Sequence, residues 1–210
     1  ASTYGAKMPR ANSEYILNQK IAIPPFTEQK EIAEYLDETC GEIDALLADI
    51  KDEIETLEQY KRSVITESVT KGLNPSAPMK NSGIEWVGEI PEHWEIHPLY
   101  YYFSERKRKN ILGKETNLLS LSYGKVIRKD INTSEGLLPE NYNGYNIVEQ
   151  SDIVLRLTDL QNDKRSLRTG LIKERGILTS AYVTIKPIKA ICSSYFHYAL
   201  HSYDIMKVFY

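Results

Sequence analysis

Basic side chains gather in three short stretches whose composition suits a polyanion. Residues 157–169 follow Arg156 and carry Lys164, Arg165 and Arg168 together with Gln161 and Asn162. Arginine meets the O6 and N7 edge of guanine with two hydrogen bonds, and an asparagine or glutamine amide does the same for adenine. This stretch therefore has the chemistry of direct base readout. A glycine turn in residues 122–129 draws Lys125, Arg128 and Lys129 together. In the third run, Arg106 leads into Lys107, Arg108 and Lys109, a set suited to phosphates, which position a duplex without reading it. On the N-terminal tail, Lys7 and Arg10 would join the surface of whatever domain that tail completes. The competing reading of each run is a solvated surface loop.

No catalytic constellation accompanies these cations. His197 and His201 stand at i and i+4, a spacing that zinc accepts. The residues between them (Tyr198, Ala199, Leu200) lack the glutamate of a metalloprotease helix, and the sequence offers no third ligand. Asn74-Pro75-Ser76 is not the Asn-Pro-Pro-aromatic signature of an adenine methyltransferase. A glycine-rich nucleotide loop and a nuclease-like acid pair followed by lysine are likewise missing. The expectation is a chain with no catalytic residue, no metal and no cofactor of its own.

The cationic stretches lie between strand patterns. Residues 117–122 and 126–128 are short strand candidates, residues 136–145 a turn-rich connection, and 147–157 and 170–185 strands rich in β-branched residues. Ser193 or Ser194 is expected to cap a final helix with Phe196, Leu200, Tyr203 and Met206 or Lys207 along one face. Upstream, Trp86 and Trp94 fit anchors that pin a loop to a domain. Residues 21–23 suggest a short strand stopped by Pro24-Pro25, since proline cannot continue a ladder; Thr27 then serves as N-cap.

What must carry all this is residues 28–72. A heptad runs through them with Ala33, Cys40, Leu47, Ile54 and Lys61 at a, and Leu36, Ile43, Ile50, Leu57 and Val64 at d. Nine apolar residues in ten seam positions, with no internal proline, predict a coiled-coil helix roughly 65 Å long. Gly72 suits a left-handed C-cap, with Pro75 just beyond. The seam residues Leu36, Cys40, Ile43, Leu47, Ile50, Ile54, Leu57 and Val64 need a second helix, and no other segment is long enough. Residues 28–49 carry eight acids and one base, residues 50–71 five acids and four bases. A parallel pair would stack the acidic halves, so like-charge repulsion favours an antiparallel partner.

Over the whole chain, 41% hydrophobic and 26% charged residues describe a globular protein. No apolar run approaches the ~18 residues of a membrane span, no secretory signal heads the sequence, and two isolated cysteines, Cys40 and Cys192, fit the cytoplasm. The net charge of −3 conceals an asymmetry. Residues 28–71 hold 13 acids and 5 bases, residues 98–210 hold 17 bases and 11 acids. A basic domain on an acidic stalk points to a polyanion partner for the domain alone.

Three strings resemble one family in order and content: Ile-Pro-Pro-Phe-Thr-Glu-Gln at 23–29, Tyr-Lys-Arg-Ser-Val-Ile-Thr-Glu-Ser-Val-Thr-Lys-Gly at 60–72, and Met-Lys-Asn-Ser-Gly-Ile-Glu-Trp-Val-Gly-Glu-Ile-Pro-Glu-His-Trp at 79–94. They are similar to specificity subunits of type I restriction–modification systems. The resemblance implies an α+β chain: a long coiled-coil helix joined to a mainly β target-recognition domain with a C-terminal helix. Residues 1–27 would close a recognition domain, 28–72 form the spacer helix, 73–80 a linker, and 81–210 a recognition domain lacking its closing segment. That is one repeat of a two-repeat arrangement in permuted register, a half-length subunit or a fragment. The implied partners are double-stranded DNA, methyltransferase subunits holding S-adenosylmethionine, and a restriction subunit. An antiparallel homodimer would exchange segment 1–27 between copies, unless a second, different half-subunit completes the pair. A coiled-coil adaptor whose basic domain binds an acidic protein is the alternative.

Overall fold

The computed structural model describes residues 3–4, 10–131, 142–158 and 168–209. The chain divides into two compact units, Ala1–Leu57 and Glu58–Tyr210, and the architecture is α+β as expected, with a long helix, a mainly β domain and a C-terminal helix.

In the first unit, β1 (Thr3–Tyr4) pairs antiparallel with β2 (Arg10–Ala11), and the short helix α1 (Ser13–Leu17) follows. Asn12 caps α1, its Oδ1 accepting from the amides of Glu14 at 2.9 Å and Tyr15 at 3.3 Å. Residues 21–23 form no strand, contrary to the alternation of their isoleucines. An extended segment needs a ladder partner, and among the described residues none pairs with it.

Helix α2 (Phe26–Lys71) has 46 residues, a rod of about 69 Å. It starts before Thr27, which lies in the first turn and does not cap it. The Pro25 carbonyl accepts from the Gln29 amide at 2.9 Å, and the Gln29 side chain donates back to the Pro24 carbonyl at 2.8 Å. Proline's fixed φ suits this entry. At the far end Gly72 takes φ +76°, the left-handed cap its sequence position suggested. Along the rod, Leu36, Ile43, Leu47, Ile50, Ile54, Leu57 and Val64 are 42–59% exposed, and Cys40 is exposed with them. The apolar stripe lies uncovered in the single chain.

The second unit begins with the last turns of α2. Then come β3 (Met79–Asn81) and β4 (Glu89–Pro91), an antiparallel pair, and a 3-10 turn, Leu99–Tyr101. The domain proper has β5 (Phe103–Glu105), the hairpin β6 (Leu119–Ser122) and β7 (Lys125–Arg128), then β8 (Asn146–Val148), β9 (Ile153–Leu155), β10 (Thr169–Leu171), β11 (Gly176–Leu178) and β12 (Val183–Pro187). Four of them make an antiparallel sheet in the order β10-β9-β12-β5, while β11 pairs with β8 and β6 with β7.

The two longer strand patterns each hold more than one strand. Residues 147–157 are two strands, broken where Ser151 adopts φ +75° and the Asp152 carboxylate accepts the Glu149 amide at 2.8 Å. Residues 170–185 hold parts of three, broken at 172–175 and 179–182. All three β9 residues are buried because the sheet is covered on both sides. Ile153 and Leu155 pack with Phe103, Ile185 and Leu200. Val154, pointing the other way, packs with Leu119, Val148, Ile172 and Leu178.

Leu200 belongs to α3 (Ser193–Ile205), which lies on β10. Cys192, not a serine, occupies its N-cap and gives no side-chain bond; Ser193 turns inward instead. The last turns of α2 meet α3 through Ser202 Oγ to Thr66 Oγ1 at 3.1 Å and Tyr195 Oη to the Val69 carbonyl at 3.4 Å. Trp94 sets its edge on Tyr195 with centroids 6.4 Å apart, so it is an anchor; Trp86 is half exposed and is not.

Candidate nucleic-acid interface

The stretch 173–176, which leads from the turn after β10 into Gly176 at the start of β11, organises the cationic surface. Gly176 is required there, because a Cβ would stand 2.5 Å from the Asn117 carbonyl oxygen. Asn117 in turn donates its amide to the Arg175 carbonyl at 2.6 Å. With the backbone clamped, Glu174 takes both ends of the Arg128 guanidinium. Arg175 reaches the other way, to Glu115 at 2.7 Å and Glu149 at 2.9 Å. Arg128 and Arg175 hold the carboxyls of Glu174 and Glu115 below the usual carboxylate range, by hydrogen bond first.

The same Glu149 oxygen accepts from Arg108 at 3.4 Å. Lys107 pairs with Glu105 at 2.8 Å, and Lys109 donates its Nζ to the Gly144 carbonyl at 2.9 Å. Arg108, Lys109, Lys114 and Arg175 line one groove of about 420 Å³. Lys125 and Lys173, with Lys61, line a second of about 590 Å³. Lys129 follows Arg128 at the end of β7, its amide donating to the Leu118 carbonyl at 2.8 Å. Arg108 and Arg128, from runs distant in sequence, thus reach the same turn, one through Glu149 and Arg175 and the other through Glu174. Exposed ion pairs of this kind contribute about 0–1 kcal/mol, so a phosphate can take over either arginine at little cost.

Two arginines of the cationic stretches face inward. Arg106 bonds the fully buried Asp152, Nη2 to Oδ1 at 2.9 Å. Arg168 was expected in the readout stretch but is 5% exposed. Its guanidinium donates to the carbonyls of Arg156 and Thr158, and its amide to Asp204 at 3.0 Å. That burial removes Arg168 from the contact set. Arg156 is exposed at the end of β9 and lines neither groove. Gln161, Asn162, Lys164 and Arg165 lie outside the described residues, as does Lys7; Arg10 falls in β2.

Lys173 and Arg175 lie within residues 170–185, which carry the character of strands, and Lys114 is an isolated lysine outside the three basic stretches. A charged triplet running into Gly176 was the available turn signal.

His197 and His201 face the second groove with ring centroids 6.4 Å apart. Among the described residues, no three His, Cys, Asp or Glu side chains gather as a metal would require. Burial, then the charge of His201, lowers His197 to about 4. Burial also lowers His201, where Asp204 works against it and Lys61 and Arg62 with it. Both histidines therefore fold neutral. Between pH ~6.5 and ~4 the unfolded chain binds protons that the folded domain refuses, so stability falls as pH drops through that window. Urea unfolding should show a loss on the order of 2–3 kcal/mol from pH 7 to 4.5. His197→Gln should flatten the slope; an unchanged slope would refute this assignment.

Among the described residues, no helix is long and apolar enough to cross a membrane. Residues 1–56 match the family model of the type I restriction modification DNA specificity domain. The chain is 31% identical over 170 residues to the type I restriction enzyme MjaVIII specificity subunit of Methanocaldococcus jannaschii, covering 75% of this chain and 37% of that protein. It is 35% identical over 114 residues to the putative type I restriction enzyme MjaX specificity subunit of the same organism, covering 54% of this chain and 24% of that one. The matched stretches span 37% and 24% of the length of these curated relatives. The resemblance read from the three strings is the relationship the comparisons return.

Proposed function

We propose, from the premise that this chain is built as part of a type I specificity subunit, that it is a non-catalytic DNA-recognition subunit working in the cytoplasm. Its β domain reads one half-site, and its helix docks methyltransferase and restriction subunits, with S-adenosylmethionine held by the methyltransferase. The supporting observation is the convergence of Arg108, Lys109, Arg128 and Arg175 around the 173–176 turn, in a domain carried on a long helix.

Two such chains pair antiparallel through α2. The helix is centred between Ala48 and Asp49. A two-fold axis there sets Leu47 against Ile50, Ile43 against Ile54, Cys40 against Leu57 and Ala33 against Val64. Every layer then joins an a position to a d position, so heptad and helix ends agree on one axis. Leu36 meets Lys61, whose stem can cover apolar surface while its amine reaches water. Segment 1–27 of each copy then joins the recognition domain of the other, residues 81–210.

Mapping methylated adenines after co-purification with the methyltransferase tests this. A two-fold pair predicts an interrupted palindrome, because symmetric readers demand symmetric half-sites; an asymmetric target would contradict it. Lys107→Ala and Lys109→Ala should weaken target and random duplexes equally, each lowering the salt slope by about one. Arg165→Ala or Gln161→Ala should cost about 1–3 kcal/mol of discrimination. If all four scale binding alike on both duplexes, residues 157–169 do not read bases. Indifference to any duplex would favour the coiled-coil adaptor.

A further inference from the structure

An apolar groove of about 950 Å³ opens at the C-terminal end of α2, at the upper limit of ordinary ligand pockets. Val69 forms one wall; Pro91, Trp94, Tyr195 and Tyr198 form the others, and Leu73 at the lip is 88% exposed. Lys61 and Lys71 stand at its margin. At the other end of the helix, the segment that enters it is apolar and uncovered. Ile21 is 77% exposed, Ile23 73% and Phe26 70%.

From these two surfaces we infer that residues 21–26 of one copy fill this groove of a second copy. The inference rests on the antiparallel pairing proposed above and adds its end contacts. The axis between Ala48 and Asp49 sets Phe26 of one helix beside Lys71 of the other. The segment ahead of Phe26 therefore leaves its helix where the partner's groove opens.

The chemistry matches at three points. Pro24-Pro25 keeps the segment extended at low entropic cost, and extended proline-containing segments bind grooves lined by aromatic rings. Ile23 and Phe26 supply apolar side chains to walls that are otherwise wet. Glu28 follows Phe26 and, on the same axis, falls opposite Val69, within one helical turn of Lys71 at the margin. A bare apolar patch of this kind marks an interaction site more often than an idle surface.

The test uses the full chain with Cys40→Ser and Cys192→Ser. Mixing an Ile23→Cys preparation with a Leu73→Cys preparation should give a disulfide-linked heterodimer that neither forms alone. In a Trp86→Phe background, emission from Trp94 should shift blue as concentration carries the protein from monomer to dimer. Phe26→Asp should abolish both signals and raise the dimer Kd at least tenfold. Either signal, lost in Phe26→Asp, upholds the docking. A dimer by light scattering with neither signal overturns the docking and leaves the pairing standing. A monomer at every concentration overturns both. A Trp94 shift that appears only when the methyltransferase is added assigns the groove to that subunit and overturns the inference.

Discussion

Ile50→Asp should convert the dimer into a monomer. Ile50 lies next to the proposed two-fold axis and faces Leu47 of the partner, so one substitution acts at two places in the assembly. Burying an isoleucine contributes about 1.5–3 kcal/mol. Two lost copies together weaken the pair by about 3–6 kcal/mol, before the cost of placing a carboxylate in an apolar layer. At 1.4 kcal/mol per tenfold, Kd should rise by at least about a hundredfold. Sedimentation velocity of the two proteins reads this directly. The substitution sits on an exposed helix face in the single chain, so the fold of the β domain should survive it, as circular dichroism will show. Asp44→Ala, off the seam on the same helix, serves as control. If Ile50→Asp sediments as the unsubstituted protein does, the stripe is not the dimer seam.

The helix was the most legible part of the chain because its information is one-dimensional. A seven-residue repeat, an N-terminal proline pair and Gly72 are all local signals, and the structure agrees to within two residues at each end. The sheet was less legible for a physical reason. Residues buried on both faces show no alternation, so a run such as 147–157 gives no sign of where it turns. The break at Ser151 uses neither glycine nor proline, and depends on the carboxylate of the next residue, Asp152, accepting the amide of Glu149 three residues before it.

The candidate interface was half legible. Lys107, Arg108, Lys109, Lys125 and Arg128 could be found as local runs. What separates them from Arg106 and Arg168 is the partner the fold supplies to each inward side chain. Asp152, 46 residues away, takes the Arg106 guanidinium; the Arg168 guanidinium donates to the carbonyls of Arg156 and Thr158, in a backbone held by Asp204, 36 residues away. No window of sequence joins those partners; the fold does. Arg175 shows the converse, a cation that looked like part of a strand and stands at the junction of both exposed clusters.

Asp152→Ala should produce the largest loss of stability of any single change in the β domain. Its carboxylate is fully buried, accepts from Arg106 and from the Glu149 amide, and fixes the turn between β8 and β9. Burial pushes the carboxyl up from its ordinary value, while Arg106 and the amide draw it back. Desolvation thus offsets much of the attraction, and the pair itself adds little net stability. Breaking it is another matter, because Arg106 is left enclosed with its charge uncompensated, at a cost of about 3–5 kcal/mol. Replacing both partners with apolar residues removes that penalty. The double variant Arg106→Met, Asp152→Leu should therefore recover much of what Asp152→Ala loses. A double-mutant cycle by urea unfolding, with Arg106→Met and Asp152→Leu as single changes, measures the coupling. Additive losses would mean that Arg106 finds water when Asp152 is gone, and that this arginine belongs with Lys107, Arg108 and Lys109 on the surface we propose to face DNA.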